Sequence, residues 1–320
     1  MTRLSKGYLI GIVGTAIWSA TAVFIRYLTE NYHVPPMVVA FWRDLFVTIG
    51  LTTVFAVFAP SLLRVERRHL KFLLFYGFVL SIFNSLWTVA VSLTGAAVAT
   101  VLAYSSPAFT AMVGWRLYGE RLDWVKVVAV LLSIAGCVLV SGAYDPAAWQ
   151  VNPLGIVTGL GAGVAFAGYS LMGKASAERG INPWTATLYI FASAAALLLV
   201  YDLALGGLQI FFSEPPAVLR IASTNLLWLG SSLVGWGALV ALALGPTIGG
   251  YGLYTVSLTY LPASVANLIA TLEPSMTATL AYLFLGETFT VPQLTGGGLV
   301  ILGVILLRIG EGRVPAVAPA

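Results

Sequence analysis

Ser105–Glu120 reads SSPAFTAMVGWRLYGE, and Leu272–Glu287 reads LEPSMTATLAYLFLGE. In both stretches a proline enters an apolar run, and a Gly-Glu pair closes it after the same number of residues. The first copy is preceded by Ala103-Tyr104 and the second by Thr271. A chain that carries such a stretch twice is built from two similar halves. In a membrane chain, duplicated halves are a mark of secondary transporters, with the site between them.

The 320 residues are a membrane composition. Apolar and aromatic residues make up 59% and charged residues 9%, against about 25% charged in a soluble domain. The apolar residues come in runs of ~20, the length needed to cross ~30 Å of hydrocarbon. About ten spans are expected, over 7–28, 37–58, 71–93, 96–118, 124–142, 153–174, 183–204, 236–259, 263–285 and 290–309. The segment 205–235 is too polar at Glu214-Pro215-Pro216 to span, and an interfacial helix leading into the eighth span is expected there. The expected fold class is an all-α membrane protein. The net charge of +4 does not point to nucleic acid, because the basic residues are dispersed in short loops.

Orientation follows from Lys and Arg. With the N-terminus in the cytoplasm, all the basic residues except Arg26, Arg43 and Arg220 fall at cytoplasmic ends, so both termini are expected inside. The start of the chain mimics a signal peptide, but its apolar run continues to Leu28 and has full span length. Trp18 aligns with Phe166, Arg26 with Lys174 and Pro35 with Pro183 at one constant offset. Pro107 with Pro274 and Glu120 with Glu287 share a larger one, the difference being mostly the 205–235 segment. Each half then holds five spans, and an odd number makes the repeats inverted. The expected division is 1–145 and 146–310, followed by a disordered cytoplasmic tail, 311–320. Glu120 is expected to end its helix inside, and Glu287 outside.

At these residues the chain resembles the drug/metabolite transporter superfamily, in particular its ten-span exporters with two EamA-type repeats. The likeness rests on Trp18, Phe41-Trp42-Arg43, Tyr104-Ser105-Ser106-Pro107 with Gly119-Glu120-Arg121-Leu122, and Leu272-Glu273-Pro274 with Gly286-Glu287. It covers nearly the whole chain. Within the superfamily the chain is most similar to bacterial exporters of aromatic and other amino acids. The resemblance implies outward transport of small metabolites across the bacterial inner membrane, through a central cavity lined by spans one, three, four, six and eight. One departure is Phe166, where the family often has Trp.

The candidate substrate residues are Trp18, Arg43, Asn84, Trp87, Tyr104, Phe166, Tyr254 and Glu273. Glu273 is costly near mid-membrane. It is open to three roles: a contact for a substrate amine, a proton site, or a structural carboxylate paired near Pro274. Arg43 lies about 9 Å in from the outer end of its span, at ~1.5 Å per residue. It could bind a substrate carboxylate, snorkel outward or pair with another helix. Asp44 is expected to point elsewhere. Asn84, a mid-membrane amide, needs a partner. Pro107, Pro246 and Pro274 are expected to bend their spans. The remaining aromatics, such as Tyr76, Phe83, Trp115, Tyr169 and Tyr251, are expected mostly at lipid or in interfacial belts. Gly155, Gly159 and Gly163 mark a close-packing face.

No enzyme, cofactor or metal is expected. The two histidines, His33 and His69, lie in loops, which excludes a buried Ser-His pair. No nucleotide-binding motif is present, so a gradient must supply the energy. The expected partners are the bilayer and a small-molecule substrate, moved down its own gradient or against protons. Spans one and six lack the acidic residue that small cation-drug exporters use. Spans nine and ten lack a basic residue before Arg308, which argues against phosphorylated substrates. Export of hydrophobic drugs without amino-acid specificity is the second reading, and a non-transport membrane protein the third.

Overall fold

A computed structural model of the chain describes residues 2–120, 122–149, 153–285, 288 and 290–312. The Gly286-Glu287 pair, Arg121, Arg313 and the expected tail from 313 onward lie outside them. The described chain is helical, without strands among the described residues. In order, the helices are α1 (Arg3–Ser19), α2 (Thr21–Tyr32), α3 (Pro36–Phe58), α4 (Arg67–Ala103), α5 (Ser106–Tyr118), α6 (Trp124–Ser141), α7 (Pro153–Glu178), α8 (Pro183–Leu208), α9 (Ala217–Arg220), α10 (Leu233–Leu242), α11 (Ile248–Ser257), α12 (Ala263–Ala270), α13 (Glu273–Leu285) and α14 (Val291–Gly312).

Starts and stops follow local chemistry. Pro36 and Pro183 open their helices, where a missing N–H costs nothing. Asp123 accepts the Lys126 N–H and Asn182 the Trp184 N–H, capping α6 and α8. Gly119 and Gly142 end α5 and α6 in the left-handed region, which a β-carbon disfavours.

Among the described residues, eight helical stretches are long and apolar enough to cross a membrane. The expected spans over 96–118 and 263–285 are not among them, because each is interrupted. The helix stops at Ala103 and restarts at Ser106; in the second half it stops at Ala270 and restarts at Glu273. Pro107 and Pro274 sit in the first turn after each stop, so each break precedes its proline instead of bending around it. Pro246 behaves differently. It lies inside a π-helical turn, Ala243–Thr247, where the Thr247 hydroxyl donates to the Leu242 carbonyl at 2.8 Å. That carbonyl is the acceptor a residue-246 N–H would have used.

The packing shows where the chain reverses. Along α7, Gly173 lies against Tyr76, Gly168 against Val79, Gly161 against Leu86 and Gly155 against Leu93, an antiparallel run. Yet Gly159 lies against Leu102, Gly163 against Ala103 and Ser105, and Tyr118 donates to the Leu171 carbonyl, a parallel run. A straight helix would carry Leu102 about 24 Å past Leu86 at ~1.5 Å per residue. The helical stretch α4 therefore doubles back between Leu93 and Leu102, and its two arms clasp α7. In the other half α1 is clasped in the same way. It runs antiparallel to α11, with Gly7 at Leu261, Gly14 at Leu253 and Gly249 at Ile17. It runs parallel to α12 and α13, with Gly11 at Ile269 and the Ser19 carbonyl accepting from Thr277. The remaining long helices pair antiparallel: α6 with α14 through Gly136, Gly296 and Gly303, and α3 with α8, where Met37 packs near Leu198 and Tyr189 donates to the Leu63 carbonyl.

The interfacial helix expected within 205–235 is absent. After α8 comes a short 3-10 turn, Gln209–Phe211, then the single turn α9 and an irregular run to Ser232. Turn-forming Ser223, Asn225 and Gly230 break helix propagation, with Asn225 N–H held by the Ser223 hydroxyl and Gly230 at φ 51°. Indoles satisfy the freed carbonyls: Trp42 donates to Leu226 at 2.7 Å and Trp236 to Gly230 at 3.0 Å.

Gly119-Glu120 joins the halves. The Glu120 carboxylate accepts the Ala263 N–H at 2.8 Å and the Ser264 hydroxyl, while Lys126 Nζ stands 3.9 Å away. It caps α12, whose own N-cap is Pro262 and supplies no side-chain bond.

Gly163 tests the clasp. A β-carbon there would lie 2.6 Å from Ser105 Oγ and 2.9 Å from the Leu102 carbonyl oxygen, whereas at Gly168 the nearest contact is 3.5 Å. Gly163→Ala is expected to destabilise the protein by about 1–3 kcal/mol, and Gly168→Ala to leave it nearly unchanged. Thermal unfolding in detergent checks the difference; equal melting of both variants contradicts the packing described.

Candidate functional site

The two helix breaks meet at the centre of the molecule. Ser106, in the first turn of α5, donates to Asn267 Oδ1 of α12 at 2.8 Å. Asn267 Nδ2 donates to Ser170 Oγ of α7 at 2.7 Å, and the Ser170 hydroxyl donates in turn to the Phe166 carbonyl at 2.9 Å. With its proton so used, Ser170 accepts from Tyr254 of α11 at 2.6 Å. One buried thread of hydrogen bonds thus ties both broken spans to α7 and α11. Beside the breaks, the Ser105 hydroxyl donates to the Leu102 carbonyl at 2.6 Å, and Cys137 Sγ lies 3.8 Å from the Thr271 carbonyl. These are groups that helix breakage leaves open and that lipid could not satisfy.

Around this thread packs a cluster of rings. Trp18 lies 4.4 Å from Tyr251, 5.8 Å from Phe166 and 6.0 Å from Tyr254, centroid to centroid. Phe166 stacks with Phe83 at 5.1 Å and with Tyr254 at 6.0 Å. Tyr76 and Phe191 close the cluster through Tyr169 and Tyr251. Helical spacing explains the convergence: Phe166 and Tyr169, and Tyr251 and Tyr254, share one face of their helices. Trp18, Phe166 and Tyr254 are all buried. Trp87 is half-buried, and none of the described ring contacts includes it.

Two charged groups flank the rings. Glu273 opens α13, and its carboxylate accepts a hydrogen bond from the Tyr104 hydroxyl. Arg43 is buried in α3, with its Nε 2.9 Å from Asp44 Oδ1. The expectation that Asp44 points elsewhere is therefore wrong. Side chains one residue apart diverge on a helix, but the long arginine stem can curl back. At this depth two charges are too costly to leave unpaired. Asn84 meets its need for a partner on the same carboxylate, donating to Asp44 Oδ2 at 3.2 Å. Arg43 Nη2 is buried and has no hydrogen-bond partner among the described residues. Arg43, Asp44 and Glu273 all lie within electrostatic reach of the Tyr251 hydroxyl.

Five expected residues, Trp18, Tyr104, Phe166, Tyr254 and Glu273, thus gather with α12 at the breaks. Arg43 and Asn84 form a second group on Asp44. The expectation for the remaining aromatics holds for Trp115, which is exposed, but fails for Tyr76, Tyr169 and Tyr251, which are fully buried. The signal was available: a tyrosine in mid-span carries a hydroxyl that lipid cannot satisfy, so it should turn inward. Asn267 and Ser170 were also missed. Asn267 is a mid-span amide and carried the same signal as Asn84; Ser170 is indistinguishable in sequence from any serine bonding back to its own helix. A groove of about 820 Å³ lined by Phe46, Ile49, Gly50, Trp184 and Leu244 lies apart from all of these and contains none of the candidate residues.

Comparison with known proteins agrees with this architecture. The profile of the EamA-like transporter family matches residues 5–142 and again 153–309. The threonine/homoserine exporter RhtA of Escherichia coli K12 is 29% identical over 257 residues, 79% of this chain and 76% of that one. An uncharacterized transporter of Archaeoglobus fulgidus is 27% identical over 231 residues, 71% of this chain and 74% of its own length. The Bacillus subtilis transporter YwfM is 27% identical over 264 residues, 81% and 80% of the two chains. A solved crystal structure superposes with a TM-score of 0.73 at 19% identity, covering 97% of this chain and all of the other, which speaks for the fold alone.

Asn267 holds the thread from both ends. Asn267→Ala leaves the buried Ser106 hydroxyl without its acceptor and removes one donor from Ser170, and is expected to cost about 1–3 kcal/mol of stability. Thermal unfolding reads this; a variant that melts with the wild type contradicts the thread.

Proposed function

The chain belongs to the EamA-like transporter family, a family of membrane transporters and not of enzymes, and on that premise we propose that it exports amino acids and related small metabolites across the bacterial inner membrane. Ten spans form two inverted repeats, 1–145 and 146–310, with both termini in the cytoplasm. The antiparallel pairing of α3 with α8 and of α6 with α14 supports inversion, because each pair joins corresponding spans of the two halves. The twofold family match supports the division into repeats. The basic residues support the orientation. RhtA, an exporter of threonine and homoserine, supports the substrate class.

The observation that carries the reading is the meeting of two broken spans beside Glu273, with Arg43 and Glu273 both within electrostatic reach of Tyr251. Broken spans are the usual place for a polar site inside a membrane protein, since only a shielded interior tolerates non-helical backbone there. An amino acid has a carboxylate for the open edge of Arg43, an ammonium for Glu273, and a side chain for the rings of Trp18, Phe166 and Tyr254. Asn84, Trp87 and Tyr104 complete the proposed lining. Alternating access follows if the halves rock about the breaks at Pro107 and Pro274 and the π turn at Pro246, exposing the site to each side in turn. Substrate runs down its own gradient or in exchange for protons carried by Glu273.

Uptake of labelled amino acids into liposomes bearing the pure protein tests this. Saturable flux is expected for at least one of them; none, with hydrophobic drugs moving instead, supports the drug-export reading. Glu273→Gln is expected to lower amino-acid flux by about tenfold or more, the loss of one charge-assisted contact. A proton role further requires that an imposed pH gradient drive wild-type flux and leave the Gln variant unaffected.

A further inference from the structure

A carrier that moves its substrate down its own gradient must cross the membrane once loaded and once empty. The empty crossing is the harder problem for a site with buried charges, because nothing from the substrate neutralises them. Here both charged groups already hold partners drawn from the protein. Asp44 lies on Arg43 Nε at 2.9 Å and is itself held by Asn84. Tyr104 donates its hydroxyl to Glu273. Tyr104 lies in the break between Ala103 and Ser106, and Glu273 is the first helical residue after the break at Thr271-Leu272. The Tyr104–Glu273 bond therefore joins the two breaks, and one half to the other. Arg43, by contrast, keeps one edge free at Nη2 although it is buried.

From this we infer that Tyr104 is a stand-in for the substrate on Glu273 while the site is empty, and that Asp44 is a positioning residue that keeps a countercharge on Arg43 Nε throughout. The inference rests on the reading that amino acids are carried. A substrate ammonium takes the place of the Tyr104 O–H on Glu273. A substrate carboxylate adds at Arg43 Nη2, while Asp44 keeps Nε and holds the guanidinium fork in orientation. A molecule with only one of the two groups releases or completes only one side, so the arrangement selects for zwitterions. Without Tyr104 or Asp44, a buried charge is left bare during the empty crossing alone, since the loaded crossing supplies the missing partner.

Two modes of uptake into liposomes separate these crossings. Net uptake into vesicles without internal substrate needs the empty return; exchange into vesicles preloaded with the unlabelled amino acid does not. Tyr104→Phe keeps the ring and removes the hydroxyl. It is expected to lower the ratio of net uptake to exchange by about tenfold, the effect of one unsatisfied buried group on a rate. Asp44→Asn keeps the shape and removes the countercharge. It is expected to shift the ratio in the same direction, and it reads the same quantity should Tyr104→Phe fail to fold. A merely structural role would scale both modes together. An unchanged ratio in the folded variants overturns the inference. If the wild type moves no amino acid in either mode, the functional reading fails first, and that result is distinct.

Discussion

A backbone carbonyl or amide inside a bilayer must find a partner within the protein, and this constraint shapes the centre of the molecule. Two spans are interrupted there, at Tyr104-Ser105 and at Thr271-Leu272. Each interruption opens groups that lipid cannot satisfy. The halves answer this by clasping each other. The arms of α4 enclose α7, and α11 to α13 enclose α1, so each break lies against the opposite half. Glycines at positions 155, 159 and 163 make that approach possible, and the Ser106–Asn267–Ser170 thread ties the two breaks to α7. Neither half could bury its broken span alone.

The charges follow the same logic. Arg43 and Glu273 are affordable at this depth because Asp44 and Tyr104 are within reach. Glu120 shows the same economy at one end of the bundle, where it caps α12 across the boundary between halves. Its place also gives a structural reason for the Gly-Glu pair: the left-handed glycine ends α5 and turns the carboxylate back toward the other repeat.

Much of this was legible in the sequence, for identifiable reasons. Span positions follow from apolar run length, which the bilayer fixes. The duplicated Pro-to-Gly-Glu stretch marked the two spans that turn out to be broken, each with a proline in mid-run. Trp18, Phe166 and Tyr254, singled out by depth, lie buried and in ring contact with one another. What could not be read was direction. Lipid and protein interior favour the same apolar residues, so only the hydroxyls of Tyr169 and Tyr251 distinguished these buried rings from belt residues. Asp44 was set aside from helix geometry, which describes where side chains start and not how far arginine can bend. The irregular run before Leu233 was misread because its apolar residues suggested a helix, while its carbonyls go to indoles from distant parts of the chain.

The account stands or falls on a zwitterion lying between Arg43 and Glu273. The most direct measurement is equilibrium binding of a labelled amino acid to the purified protein, in competition with its decarboxylated amine and its deaminated acid. The account predicts displacement by the unlabelled amino acid and, at matched concentration, little by either fragment. Equal displacement by a fragment lacking one charge would contradict it.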